Sequence, residues 1–84
     1  MNTIVWSKEN CPHCVEAKQL LNLHDIPFEE RKIGDGWDRE QLLEHVPTAR
    51  SVPQIFVYGQ YVGGLEDLKT YIENTTSGST EGKL

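Results

Sequence analysis

Two cysteines separated by two residues, Cys11-Pro12-His13-Cys14, constrain this chain more than any other stretch. They follow a short β-branched and aromatic run, Thr3-Ile4-Val5-Trp6-Ser7, and precede a helical pattern. Pro12 suits a first helical turn, where its missing N–H leaves no hydrogen bond unmade. A thiol pair placed where a strand hands over to a helix is a redox site. Disulfide exchange needs a thiolate. Cys11 at the helix start would meet unpaired backbone N–H groups and the positive end of the helix dipole. Cys14 would lie one turn inside and more buried. Cys11 is therefore the expected nucleophile and Cys14 the resolving thiol, with Lys8 adding positive charge nearby.

The rest of the pattern supplies a frame for that pair. Cys14, Ala17, Leu20 and Leu21 recur at helical spacing, predicting a helix over Pro12 to His24, and Pro27 bars its continuation. Phe28 to Ile33 reads as an edge strand, and Gly34-Asp35-Gly36 as a loop. Asp38 is a candidate N-cap, with Gln41 three residues on as in a capping box. Leu42, Leu43 and Val46 line the short helix that follows, with Trp37 at its start and Pro47 beyond its end. Val52 to Tyr58 carries the strongest strand signal, and Tyr58-Gly59-Gln60-Tyr61 turns it back as a hairpin. After Gly63-Gly64, the residues Leu65, Leu68, Tyr71 and Ile72 mark the buried face of a third helix. The order β-α-β-α-β-β-α predicts an α/β fold, a small mixed four-stranded sheet with helices on both faces. That is the thioredoxin-like architecture. One domain over 1–75 is expected, followed by a Ser-, Thr- and Gly-rich tail at 76–84 that buries too little to order itself.

Composition narrows the function classes. The net charge of −5, without a basic stripe, argues against nucleic acid. No apolar run approaches the ~20 residues that span a bilayer. The N-terminus lacks the basic region and apolar core of a signal peptide, so a cytoplasmic location is expected. In that compartment a Cys-x-x-Cys pair reads as catalytic or metal-binding rather than as a structural staple. Zinc is the metal rival, since Cys11, His13 and Cys14 could all ligate. A structural zinc site wants a fourth ligand, and His24 and His45 stand apart in the sequence, so no metal site is expected.

Three further features could shape the site. An imidazole at His13 can carry positive charge near neutral pH, favouring the thiolate and the reduced form; the alternative is an exposed residue without consequence. Ser51-Val52-Pro53 opens the strongest strand after a loop, so Pro53 is either a cis-proline or an ordinary trans one. A cis bond would present the backbone of Val52 to a peptide added as a strand. Gly63-Gly64-Leu65-Glu66-Asp67 is either a carboxylate-binding helix start or a tight turn with an acidic first helical turn.

Together these stretches resemble the glutaredoxins. Cys11-Pro12-His13-Cys14, Ala49-Arg50-Ser51-Val52-Pro53-Gln54-Ile55-Phe56 and Gly63-Gly64-Leu65-Glu66-Asp67-Leu68 fall in the family's order and spacing, over Asn2 to Asn74. The resemblance implies a glutathione-dependent dithiol oxidoreductase. It would reduce protein disulfides and glutathione mixed disulfides, with glutathione as co-substrate and no tightly bound cofactor. Ribonucleotide reductase is a typical family client, and a monomer is expected. Carried over, Ser51 and Val52 flank the cis-proline Pro53, and Val52 pairs with the cysteinyl backbone of glutathione. Gly64, Glu66 and Asp67 receive its γ-glutamyl end, and Lys8 meets the glycyl carboxylate, with Arg39 or Gln41 as a further contact. His13 stands where the family usually has Tyr, removing an aromatic wall of the groove. Ser51 stands where Thr is usual. Cys-Pro-His-Cys is better known from periplasmic thiol oxidases of the DsbA type, which are much larger and carry a signal peptide. The short length and spare loops look like those of bacterial or phage-encoded members. Two rival readings remain. One is an NrdH-type redoxin recharged by thioredoxin reductase. The other is a glutathione-assisted iron–sulfur cluster module, against which Cys14 argues.

Overall fold

A computed structural model describes residues 2–81, with side chains over residues 2–75. Its elements are β1 (Ile4–Lys8), α1 (Pro12–Leu23), β2 (Glu29–Ile33), α2 (Arg39–His45), β3 (Gln54–Val57), β4 (Gln60–Gly63) and α3 (Leu65–Glu81). The four strands form one sheet in the order β2-β1-β3-β4. β1 runs parallel to β2 and antiparallel to β3, and β3 pairs antiparallel with β4. This is the mixed sheet with three helices that the periodicities predict.

Alternation along the central strands splits the core into two layers. Val5, Ile55 and Val57 point to one face, where Ala17 and Leu21 of α1 and Leu65, Leu68 and Ile72 of α3 close over them. Trp6 points to the other face, with Leu42 of α2 and Val46 against it and Ile4 and Phe56 alongside. Successive strand residues face opposite sides, so one short run such as Ile4-Val5-Trp6 feeds both cores. Trp37 packs edge-on against Trp6 with ring centroids 5.5 Å apart. The Arg31 guanidinium lies 4.4 Å from the Trp37 centroid and 5.3 Å from that of Trp6. It closes the edge of this layer through cation–π contacts.

Local signals set the element ends. Asn10 (φ 54°) turns the chain from β1 towards α1, a left-handed conformation that Asn tolerates. At the far end of α1, Asp25 adopts φ 58° and the Ile26 N–H donates to the Leu21 carbonyl at 2.9 Å. Asp38 caps α2 through the expected box. Its carboxylate accepts from the Gln41 N–H, and the Gln41 side chain accepts from the Asp38 N–H, both at 2.8 Å. Several boundaries differ from the sequence reading: β1 is shifted by one residue, α1 ends at Leu23 rather than His24, and β2 begins at Glu29 rather than Phe28. β3 begins at Gln54 rather than Val52, because Val52 and Pro53 form a cis link ahead of the strand. α3 continues to Glu81, past the boundary that composition places at residue 75. The tail expected at 76–84 otherwise falls on side chains, and from residue 82 on backbone, that lie outside the described residues. No helix among the described residues is long and apolar enough to cross a membrane.

Candidate active site

Cys11 and Cys14 form a disulfide with Cα atoms 5.2 Å apart. Cys11 is the N-cap of α1, a position where Ser, Thr or Asp usually offers an oxygen to the first free N–H groups. Here the Cys11 Sγ takes that place and accepts from the Cys14 N–H at 3.2 Å. In the reduced state the same donor and the helix dipole favour a thiolate on Cys11. Cys14 is 1% exposed and Cys11 is 8% exposed, so attack from outside meets Cys11 first. This is the asymmetry expected from one helical turn of separation.

The Val52–Pro53 peptide bond is cis, which answers the question the sequence leaves open. The loop brings the Val52 carbonyl oxygen to 3.8 Å from the Cys11 Sγ. Gln54 braces the loop: its amide donates to the Ser51 carbonyl at 2.8 Å, and its oxygen accepts from the Tyr61 hydroxyl at 2.6 Å.

Two grooves meet at Ser51 and Val52. One, of about 370 Å³, runs from His13 past Pro53 and Tyr61 to Gly64, Glu66 and Asp67 at the start of α3. There the Gly64 N–H donates to the Asp67 carboxylate at 3.3 Å. The other, of about 200 Å³, runs between β1 and α2 and is rimmed by Lys8, Arg39 and Arg50. Thus Lys8 lies on one side of Val52, and the α3 start on the other. Arg39 faces the second groove, whereas Gln41 is engaged in its capping box. A third opening on the α1 side of the disulfide is lined by Cys14, Lys18 and Lys32 among others. Burial alone would push the Glu30 carboxyl up. Hydrogen bonds from Lys18 and Ser7 and the charges of Lys18 and Lys32 outweigh it and hold Glu30 below its ordinary value. Glu9 holds Lys32 above its own, mainly by a hydrogen bond.

Sequence reasoning missed three groove residues. Arg50 is a single exposed cation in a loop, and nothing in its neighbours marks its direction. Tyr61 reads as part of the hairpin turn; its place opposite Phe56 in the β3–β4 register turns it onto the α2 face. It supplies an aromatic ring to the groove that His13 also lines. Gln54 is a buried polar residue whose role depends on the cis loop. Among the described residues, no group of three or more His, Cys, Asp or Glu is arranged to hold a metal ion.

The comparisons with known proteins agree with this geometry. A sequence model of the glutaredoxin family matches residues 3–62. Glutaredoxin 3 of Escherichia coli K12 is 38% identical over 68 residues, which span 80% of this chain and 81% of the relative. The structure of reduced Escherichia coli glutaredoxin superposes with a TM-score of 0.75 at 30% identity, covering 92% of this chain and 99% of that one. Glutaredoxin 1 from Francisella tularensis, solved in complex with cacodylate, gives a TM-score of 0.74 at 27% identity, covering 89% and 95%. The fold is thioredoxin-like and the Cys11–Cys14 pair fits a Cys-x-x-Cys active site, so the chain belongs to the glutaredoxin family of glutathione-dependent thiol–disulfide oxidoreductases.

Proposed function

We propose that this glutaredoxin reduces protein disulfides and glutathione mixed disulfides with Cys11 as nucleophile and Cys14 as resolving thiol. The observation that carries the reading is the meeting of two grooves at Val52, beside Cys11. Glutathione has a carboxylate at each end and a cysteine in the middle. With its cysteinyl backbone along Val52 and its sulfur at Cys11, the glycyl carboxylate reaches Lys8. The γ-glutamyl group then reaches Gly64, Glu66 and Asp67, with Ser51, Pro53 and His13 forming the walls. First-turn amides of α3 suit its carboxylate, and the two acidic side chains suit its ammonium.

The exchange balances as follows. The Cys11 thiolate attacks one sulfur of a client disulfide, forming a mixed disulfide and releasing a client thiolate, which takes up a proton. Cys14 loses its proton and attacks the Cys11 Sγ, closing the Cys11–Cys14 disulfide and freeing the second client thiol. One glutathione thiolate then opens that disulfide at Cys11, returning Cys14 to the thiol. A second takes the first off as glutathione disulfide. Two glutathione molecules are oxidised for each client disulfide reduced.

The groove is built within one chain, which suits a monomer. Both cysteines of the sequence belong to the redox pair, leaving none for a structural disulfide, as suits a reducing compartment such as the cytoplasm. Ribonucleotide reductase is a client by family resemblance. No tightly bound cofactor takes part in this cycle.

The test is turnover of a small glutathione mixed disulfide by wild type, Cys11→Ser and Cys14→Ser, coupled to glutathione reductase. Activity is expected to vanish with Cys11→Ser and persist with Cys14→Ser. An inactive wild type that thioredoxin reductase nevertheless reduces would replace this reading with the NrdH-type one.

A further inference from the structure

On this acidic chain, the described cations without ion pairs among the described residues converge on one place. Lys18, Arg31, Lys32 and Lys69 are held by acidic side chains. The other described cations, Lys8, Arg39 and Arg50, have no ion-pair partner among the described residues. All three line the groove between β1 and α2, whose floor includes Ile33, Leu42 and Ala49.

Glutathione leaves much of this groove unused. It ends in glycine, which has no side chain, and its single carboxylate is accounted for by Lys8 with Arg39 as the further contact. The groove holds about 200 Å³. A carboxylate is not much larger than a water molecule, whose share of liquid is roughly 30 Å³. The apolar floor and Arg50 therefore lack a counterpart in the co-substrate, and Arg39 is only partly used. Arginines also present a planar fork that matches a carboxylate in a way a lysine does not.

We infer that the groove selects protein clients in which the disulfide cysteine is followed by an apolar residue and then a carboxylate. The inference rests on the reading that a client lies along Val52 in the direction assigned to glutathione. The apolar side chain covers the floor between Ile33 and Leu42, and the carboxylate docks between Arg39 and Arg50. These arginines position the client and take no part in the sulfur chemistry. The chain as a whole repels acidic partners, so this groove supplies local attraction against the net charge.

The experiment uses the reduced full chain and the symmetric disulfides of two capped peptides, acetyl-Cys-Leu-Glu-amide and acetyl-Cys-Leu-Gln-amide. Single-turnover rates are read by acid quench, with glutathione disulfide as a third oxidant. Wild type is expected to react about 5-fold faster with the acidic peptide at low salt, the scale of a pair of partly exposed charge contacts. The ratio should fall towards one in ~1 M salt, where screening acts within about 3 Å. Arg39→Gln with Arg50→Gln should bring the ratio to one, and Arg39→Lys with Arg50→Lys should keep most of it. Equal wild-type rates on both peptides, or a ratio unmoved by the Gln pair, overturns the proposal and leaves glutathione chemistry standing. Failure of all three disulfides to oxidise the reduced chain overturns the underlying reading, and the proposal with it.

Discussion

Gly63 joins β4 to α3, and replacing it with alanine should cost more than any other glycine exchange whose surroundings are described. Its φ of +125° lies in a region reached essentially by glycine alone. A side chain there carries a backbone cost of about 1–3 kcal/mol. Sterics add to it. A Cβ at Gly63 would sit 2.9 Å from the Asp67 Cγ and 3.0 Å from its Cβ. The carboxylate can swing away, but the Asp67 Cβ moves only with the first turn of α3. That movement also breaks the Gly64 N–H bond to Asp67, worth about 0.5–1.5 kcal/mol. Gly34→Ala is the control: its φ is +94°, and nothing lies within 4 Å of the added methyl. It should show the backbone cost alone. We expect Gly63→Ala to lose about 3 kcal/mol and Gly34→Ala about 1–2 kcal/mol. Urea unfolding followed by fluorescence of buried Trp6 resolves this. With a slope near ~1 kcal/mol/M, the midpoints of the two variants should differ by about 1–2 M. In Gly63→Ala the groove should suffer too, raising KM for a glutathione mixed disulfide while kcat holds, because Cys11 is untouched. Equal midpoints for Gly63→Ala and Gly34→Ala would refute the steric argument.

Other predictions follow from single contacts. Leu68→Ala empties the middle of the larger core and should destabilise by about 2–5 kcal/mol, read from the urea midpoint. Asp38→Ala removes the α2 cap and should cost about 1 kcal/mol; an unchanged midpoint would show that packing alone sets the start of α2. Glu30 is held below its ordinary value in the folded chain, so its contribution is present above the ordinary glutamate range and is lost as pH falls through the folded value. The urea midpoint of wild type should therefore drop more steeply on acidification below that range than the midpoint of Glu30→Gln, and parallel curves would remove Glu30 as a source of acid sensitivity.

Much of the fold is legible because local rules and the tertiary answer coincide. Thr3 to Ser7 is β-branched and aromatic, and it becomes the central strand β1 with a one-residue shift. The Asp38–Gln41 box forms as its spacing predicts, because a cap is a contact within four residues. The end of α3 is less legible. Polar Ser, Thr and Gly composition marks a segment with little to bury, but says nothing about where a helix already anchored by Leu65, Leu68 and Ile72 stops. Arg50, Tyr61 and Gln54 escape a sequence reading for a different reason. Their roles arise from contacts between segments, and periodicity reports only which face of its own element a residue occupies.

The sequence by itself determined the chemistry of the pair. Cys-x-x-Cys with Pro at the first helical position places one sulfur at a helix N-terminus and the other one turn in, through local geometry alone. It also determined the element order, because hydrophobic period and Gly or Pro breaks are properties of contiguous residues. Only the tertiary structure decided that the Val52–Pro53 link is cis and that Val52, just ahead of β3, meets Cys11, just beyond the end of its antiparallel neighbour β1. It alone brought Lys8, Arg39 and Arg50, from three separate segments, to the rim of one groove. Such convergence depends on sheet order and on the packing of α2 over Trp6, which are set by long-range burial that no stretch of sequence holds by itself.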